Sequence, residues 1–185
     1  MANGRSWSIP PSAFREEVDE AVATRTRVIS MALLREIVLR SPVGNPDLWK
    51  ANTELRSRNV ASADAYDAKA LQLGNKKLTK REREENYFVS AQAVGAGYVG
   101  GRFRANNFVT IGDPNYQLKL DDVDPSGAST IAKGGSVLQG VGPYSVVHIQ
   151  NNLPYAERLE DGHSTQAPGG IYAVSFNGVA AAYSD

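Results

Sequence analysis

The chain has 185 residues, of which 42% are hydrophobic and 22% charged. This is a globular composition that suits one domain, or one domain with a sizeable insertion, and excludes a wholly disordered chain. Twenty basic residues balance twenty acidic ones, which argues against a protein that grips nucleic acid through its overall field and leaves only a local patch open. With no cysteine, disulfides, thiolate metal sites and cysteine nucleophiles are excluded.

The opening MANGRSWSIPP lacks the apolar core of a signal peptide, and no apolar run approaches a membrane span. A soluble product made in the cytoplasm is expected. Pro10 and Pro11 stop any earlier helix, Ser12 is placed as an N-cap, and Glu16 and Glu17 suit the positive end of a helix dipole. Phe14, Val18, Ala21, Val22, Ile29, Ala32, Leu33 and Ile37 then recur at three- and four-residue steps, which predicts a helix from Ala13 to Leu39, about 40 Å long. Either it is a core helix, or part of its surface meets a neighbouring subunit.

Two prolines and a glycine in Ser41–Lys50, SPVGNPDLWK, force an extended, turning path. From Ala51 to Ala96 the pattern is that of a helical insertion. Ser62 or Asp64 is expected to cap a short helix through Leu73, ended by Gly74 and Asn75. Thr79 and Glu82 form a capping box for a second, highly charged helix, TKREREENYFVSAQAV, with Tyr87, Phe88, Ala91 and Val94 as its apolar face. Glu82, Glu84 and Glu85 interleave with the basic residues, so a solvated face fits better than a nucleic-acid patch. The helical pair is expected to project and touch a partner protein.

The glycine cluster GAGYVGG lacks the Gly-Lys-Ser/Thr ending of a phosphate loop and the strand-turn-helix context of a dinucleotide site. Gly100 and Gly101 instead enter a predicted strand, Arg102 to Ile111, ended by Gly112, Asp113 and Pro114. A modest helix is expected from Ser129 to Gln139 despite Gly134 and Gly135. Tyr144 to Gln150 is a half-buried strand with Val147 and Ile149 on one face. Asn151 and Asn152 suit a turn and a helix cap, with Pro154 in the first turn of a short helix from Leu153 to Asp161 that Gly162 ends. Tyr155 and Leu159 share a face of that helix, which should fold it back on the strand. Ile171 to Phe176 has no decisive periodicity and is read as a strand.

Candidate chemistry is sparse. His148 sits in a strand and His163 after a helix, near Glu157, Glu160 and Asp161, without the spacing of a metal site. Ser164 lacks the second glycine of a nucleophile elbow. Glu160 lies near the negative end of its helix, an unfavourable place for a carboxylate. It should be compensated by a basic side chain or by backbone donors after Gly162, within the chain or across a subunit contact.

One stretch resembles a known family. Asn151, Asn152, Pro154, Tyr155 and Ala156, then Leu159, Glu160, Gly162 and Ser164, then Gln166, Ala167 and Pro168, resemble the neck and tail-completion proteins of tailed bacteriophages and prophages. Ser41–Lys50 is similar to the family's loop after the first helix, and Gly97, Tyr98, Val99, Gly100, Gly101, Arg104, Ala105 and Asn106 to the segment that follows it. Asn107 stands where tryptophan is usual. The resemblance implies a structural virion component of the head–tail interface, with no reaction, cofactor or metal. Its partners would be further copies in a ring, sixfold to match a tail tube, a tail tube or tail terminator protein, and a head–tail connector or head-closure protein. DNA would pass through the lumen without sequence-specific binding, and no membrane is involved. Trp49, Arg104, Asn151, Asn152, Tyr155, Glu160, Gln166 and Pro168 are the interface candidates. The fold expected is α+β, a long N-terminal helix on a small, mostly antiparallel sheet. The alternatives are a virion-associated hydrolase and a DNA-binding accessory protein.

Overall fold

A computed structural model describes residues 10–94 and 99–184. The signal-peptide reading of the first residues, and Gly97 and Tyr98 of the family-like segment and glycine cluster, fall outside them. The chain divides into two compact units, Met1–Val43 with Gly100–Asp185, and Gly44–Val99.

The first unit has the α+β architecture expected. Its long helix, α1, runs Pro11–Arg40, about 45 Å at 1.5 Å per residue. It starts before Ser12, at a proline whose absent N–H needs no partner, and no side chain caps it. Its inward face crosses two apolar clusters. Leu34 and Val38 meet Val109, Leu138 and Val141 in one, and Ile37 meets Phe103, Leu153, Ala167 and Ile171 in the other.

The second unit holds α2, Lys50–Gln72, and α3, Lys80–Tyr87, after a single 3-10 turn at Pro46–Leu48. The expected start of α2 at Ser62 or Asp64 is wrong. Ser62 donates its hydroxyl to the Arg58 carbonyl at 3.0 Å from within the helix, and Asp64 pairs with Arg83 at 2.5 Å. Gly74 ends the helix region with φ +74°. The capping box of α3 forms as read, with Thr79 Oγ1 and Glu82 exchanging bonds. That helix stops at Phe88, in left-handed geometry, and does not reach Val94. Beyond it, side chains replace helical bonds: Asn59 donates to the Phe88 carbonyl at 2.8 Å and Asn52 accepts from the Ala93 N–H at 2.6 Å. Asp67 ties α2 to α3 by accepting from the Leu78 N–H and the Arg83 guanidinium.

Back in the first unit, α4 spans Arg102–Ala105 and β1 Phe108–Ile111, where one long strand had been expected. Gly101, at φ +96°, turns the chain into a helical turn, and the Asn106 and Asn107 amides hold it there by donating to the carbonyls of Arg102 and Phe103. Helix α5, Ala128–Leu138, falls within a residue of its reading. Strand β2 is only Val147–Gln150, because Tyr144 sits in a turn at φ +58°. It pairs antiparallel with β1, with Phe108 opposite Gln150 and Ile111 opposite Val147. Val109, Ile111, Val147 and Ile149 turn inward to the core.

Helix α6 is Ala156–Glu160, shorter than predicted. Asn151 closes a local turn by accepting from the Leu153 N–H at 3.1 Å, so neither asparagine caps the helix and Pro154 lies before its first turn. Leu159 and Ala156 do pack back on the second cluster, as the Tyr155/Leu159 spacing implied. The final element is a helix, α7, Tyr172–Ala182, and not the strand read at Ile171–Phe176.

Candidate functional site

Arg104, Asn151, Glu160 and Gln166, all family-like side chains of the first unit, bond main-chain groups around one polar junction, where the end of α1, the α4 turn, the exit of β2 and the start of α7 meet. Arg104 spreads its guanidinium over three carbonyls, those of Ser41 at 3.0 Å, Leu39 at 3.2 Å and Pro125 at 2.6 Å. It closes the open C-terminal end of α1. Gln166 accepts from the Val43 N–H at 3.2 Å. Asn151 donates to the Phe103 carbonyl at 2.8 Å, and Asn152 to the carbonyls of Asn115 and Gln117 at 2.7 and 2.8 Å. Tyr155 sets its ring 6.1 Å from that of Phe103. Pro168 is exposed, with its backbone against Gly162. Trp49 lies in the other unit, at the N-cap of α2.

Glu160 is the most constrained of these. One carboxylate oxygen accepts from the N–H groups of Ile171 and Tyr172 at 2.9 and 2.8 Å, and the other from Ala173 at 2.8 Å. These are the orphan donors that open α7, whose own N-cap, Ile171, has no side chain able to satisfy them. The compensation expected for Glu160 therefore comes from backbone donors beyond Gly162, within the chain. Burial pushes its pKa up, but the bonds from Ala173, Tyr172 and Ile171 outweigh this and hold it below the ordinary carboxylate value. Gly170 permits the approach: at φ +83° it carries no side chain where a Cβ would lie 2.5 Å from the Glu160 carbonyl oxygen.

Asn107 is buried and accepts from the Tyr172 hydroxyl at 2.5 Å while its amide donates to Phe103 and Arg104 carbonyls. Burial, and secondarily the Glu160 charge, push the Tyr172 phenol well above its usual pKa. Tyr172 is thus held as a neutral donor. Sequence reading missed this network because Asn107 and Tyr172 lie 65 positions apart and nothing local to either residue points to the other. It also missed Asp124, which holds the start of α5 as Glu160 holds that of α7. Asp124 accepts from Thr130 N–H and hydroxyl at 2.8 and 2.9 Å, and from Gly127 N–H at 2.9 Å. Burial raises its pKa and the Thr130, Ser126 and Gly127 bonds more than reverse this. The signal in the sequence was a carboxylate a few residues ahead of a helix whose N-cap, Gly127, lacks a side chain.

The histidines do not join this junction. His148 Nε2–H donates to the Gly112 carbonyl at 2.8 Å, and His163 Nδ1–H to Arg158 at 3.1 Å. Among the described residues no cluster of three His, Asp or Glu side chains could hold a metal. Beside the junction runs an open, mainly apolar groove of about 590 Å³, walled by Leu33 and Ile37 of α1 and Phe176 of α7, with Val147–Gln150 along its floor. Among the described residues no helix is long and apolar enough to cross a membrane. Compared with known proteins, the chain matches no family model, no curated protein and no solved structure.

Proposed function

We propose that this chain is a structural subunit of the neck of a tailed bacteriophage, completing the tail end and joining it to the head as part of a ring around the DNA path. One observation carries the reading: four of the family-like side chains, Arg104, Asn151, Glu160 and Gln166, are spent on main-chain groups of a single junction. A motif used in this way is the frame of a fold whose surfaces do the work. The partners that follow are further copies of the chain, a tail tube or tail terminator, and a connector or head-closure protein. A closed ring calls for heterologous contacts whose rotation closes, and sixfold symmetry matches a tail tube. Balanced charge suits a lumen that lets DNA pass without gripping it.

The test is the mass of the purified protein by light scattering, alone and mixed with purified tail tubes or connectors. A ring, or a monomer that joins one only on those assemblies, is expected. A chain that ignores both overturns the reading.

A further inference from the structure

The two-stranded sheet leaves a half-ladder open on the groove. The Gly112 N–H donates to Val146 at 2.9 Å. Bonded pairs recur at every second residue of an antiparallel ladder, so His148 and Gln150 exchange bonds with Thr110 and Phe108. Val147 and Ile149 therefore turn their N–H and C=O groups to the opposite edge, where they find no partner among the described residues. All four consecutive residues of β2 line the groove. Alternate residues point to opposite faces of a sheet, so a groove touching all four runs along the strand's edge. Its occupant must be extended, to meet the free backbone groups, and apolar on one face, to meet Leu33 and Phe176.

The same unit carries a segment of that form. Between Asn115 and Leu120 the backbone is clamped on one side only. Asn152 takes the carbonyls of Asn115 and Gln117, and Asn106 takes both the N–H and the C=O of Lys119, at 3.0 and 2.8 Å. Every second residue is thus held inward. Tyr116 and Leu118 lie between these clamps and Leu120 just beyond the last, 81%, 44% and 51% exposed, with no backbone partner among the described residues. Three large apolar side chains at alternate positions of a pinned segment form an apolar ridge beside free backbone groups, the two features the groove calls for. A second β2 does not fit, because each β2 lies recessed between the walls of α1 and α7.

We propose that the Tyr116–Leu120 ridge of one copy adds as a third strand along β2 of a second copy, with Tyr116, Leu118 and Leu120 against Leu33 and Phe176. This deepens the ring reading by naming a contact between copies, and the test separates the two. Light scattering across a concentration series would be run on the full chain, on Leu118→Asp, which spoils the ridge, and on Phe176→Arg, which spoils the groove. Both positions are exposed, and melting curves check that each variant folds. Wild-type chain is expected to self-associate, each variant to do so at least tenfold more weakly, and an equimolar mixture of the variants to recover association, since one keeps an intact groove and the other an intact ridge. Association unchanged in both variants overturns the strand contact while leaving a ring built through other surfaces. A wild-type chain that stays monomeric at every concentration also overturns it, whereas the neck reading fails only if tail tubes and connectors are ignored as well.

Discussion

Glu160 was legible in sequence as a residue in need of a partner, because a carboxylate at the end of one helix is unfavourable there. What could not be read was that the donors belong to the start of another helix, α7, eleven to thirteen residues on. Three bonds to a charged acceptor at a helix N-terminus make Glu160→Ala expected to cost about 2–3 kcal/mol, seen as a lower melting temperature. The pH dependence follows from the lowered pKa. The contribution of Glu160 is complete above its ordinary value of 4.5 and is lost as pH falls through the lower folded value. Glu160→Gln should therefore be less stable than wild type at neutral pH and lose less on acidification; parallel curves for the two would rule the account out. Asn107 poses the opposite case. Family likeness suggests that a tryptophan would fit, yet the site is buried and hydrogen-bonded to Tyr172. Asn107→Ala strands that hydroxyl and should cost about 1–3 kcal/mol. Tyr172→Phe in the same background should add little, so denaturant melts of the four-member cycle should depart from additivity.

At the level of elements, α1 and α5 were read well, whereas α4, α6 and α7 were not. Helix α1 and α5 match their readings to within about two residues. Gly134 in α5 lowers helix propensity, and packing explains its presence: a Cβ there would lie 2.4 Å from Leu34 Cδ2 and 2.8 Å from Val109 Cγ2. Gly134→Ala should thus destabilise by about 1–3 kcal/mol, although alanine is the better helix former. A variant that melts higher would show that α1 and α5 have room to separate. Of the strand read across Arg102–Ile111, Phe108–Ile111 forms β1, while Arg102–Ala105 becomes a helical turn because Asn106 and Asn107 satisfy its carbonyls. The strand read at Ile171–Phe176 becomes α7 because a distant carboxylate supplies its cap.

For the whole molecule, the informative distance is between Val43 and Gly101, whose C=O and N–H meet at 2.6 Å. The two points where the chain leaves and re-enters the first unit are therefore adjacent, and a loop of any modest length can close them at small entropic cost. Replacing Gly44–Val99 by a short Gly/Ser linker should leave the first unit folded, with one cooperative thermal transition and native-like helical dichroism. A molten or aggregated product would mean that the second unit is needed for the first to fold. The junction built from Arg104, Asn151 and Glu160 lies wholly within the retained part.

The sequence by itself determined the α+β class, the long first helix, the capping box at Thr79 and the two-faced strand ending in an asparagine turn. Each rests on contacts within a few residues, where side-chain period and capping chemistry leave little choice. Only the tertiary structure decided that Asn107 answers Tyr172, that Glu160 and Asp124 start helices they do not belong to, and that the apolar run at Ile171 coils into α7. In those places local propensity is balanced, and the outcome is set by the cost of leaving a buried donor or acceptor unpaired, which depends on what the rest of the chain brings alongside.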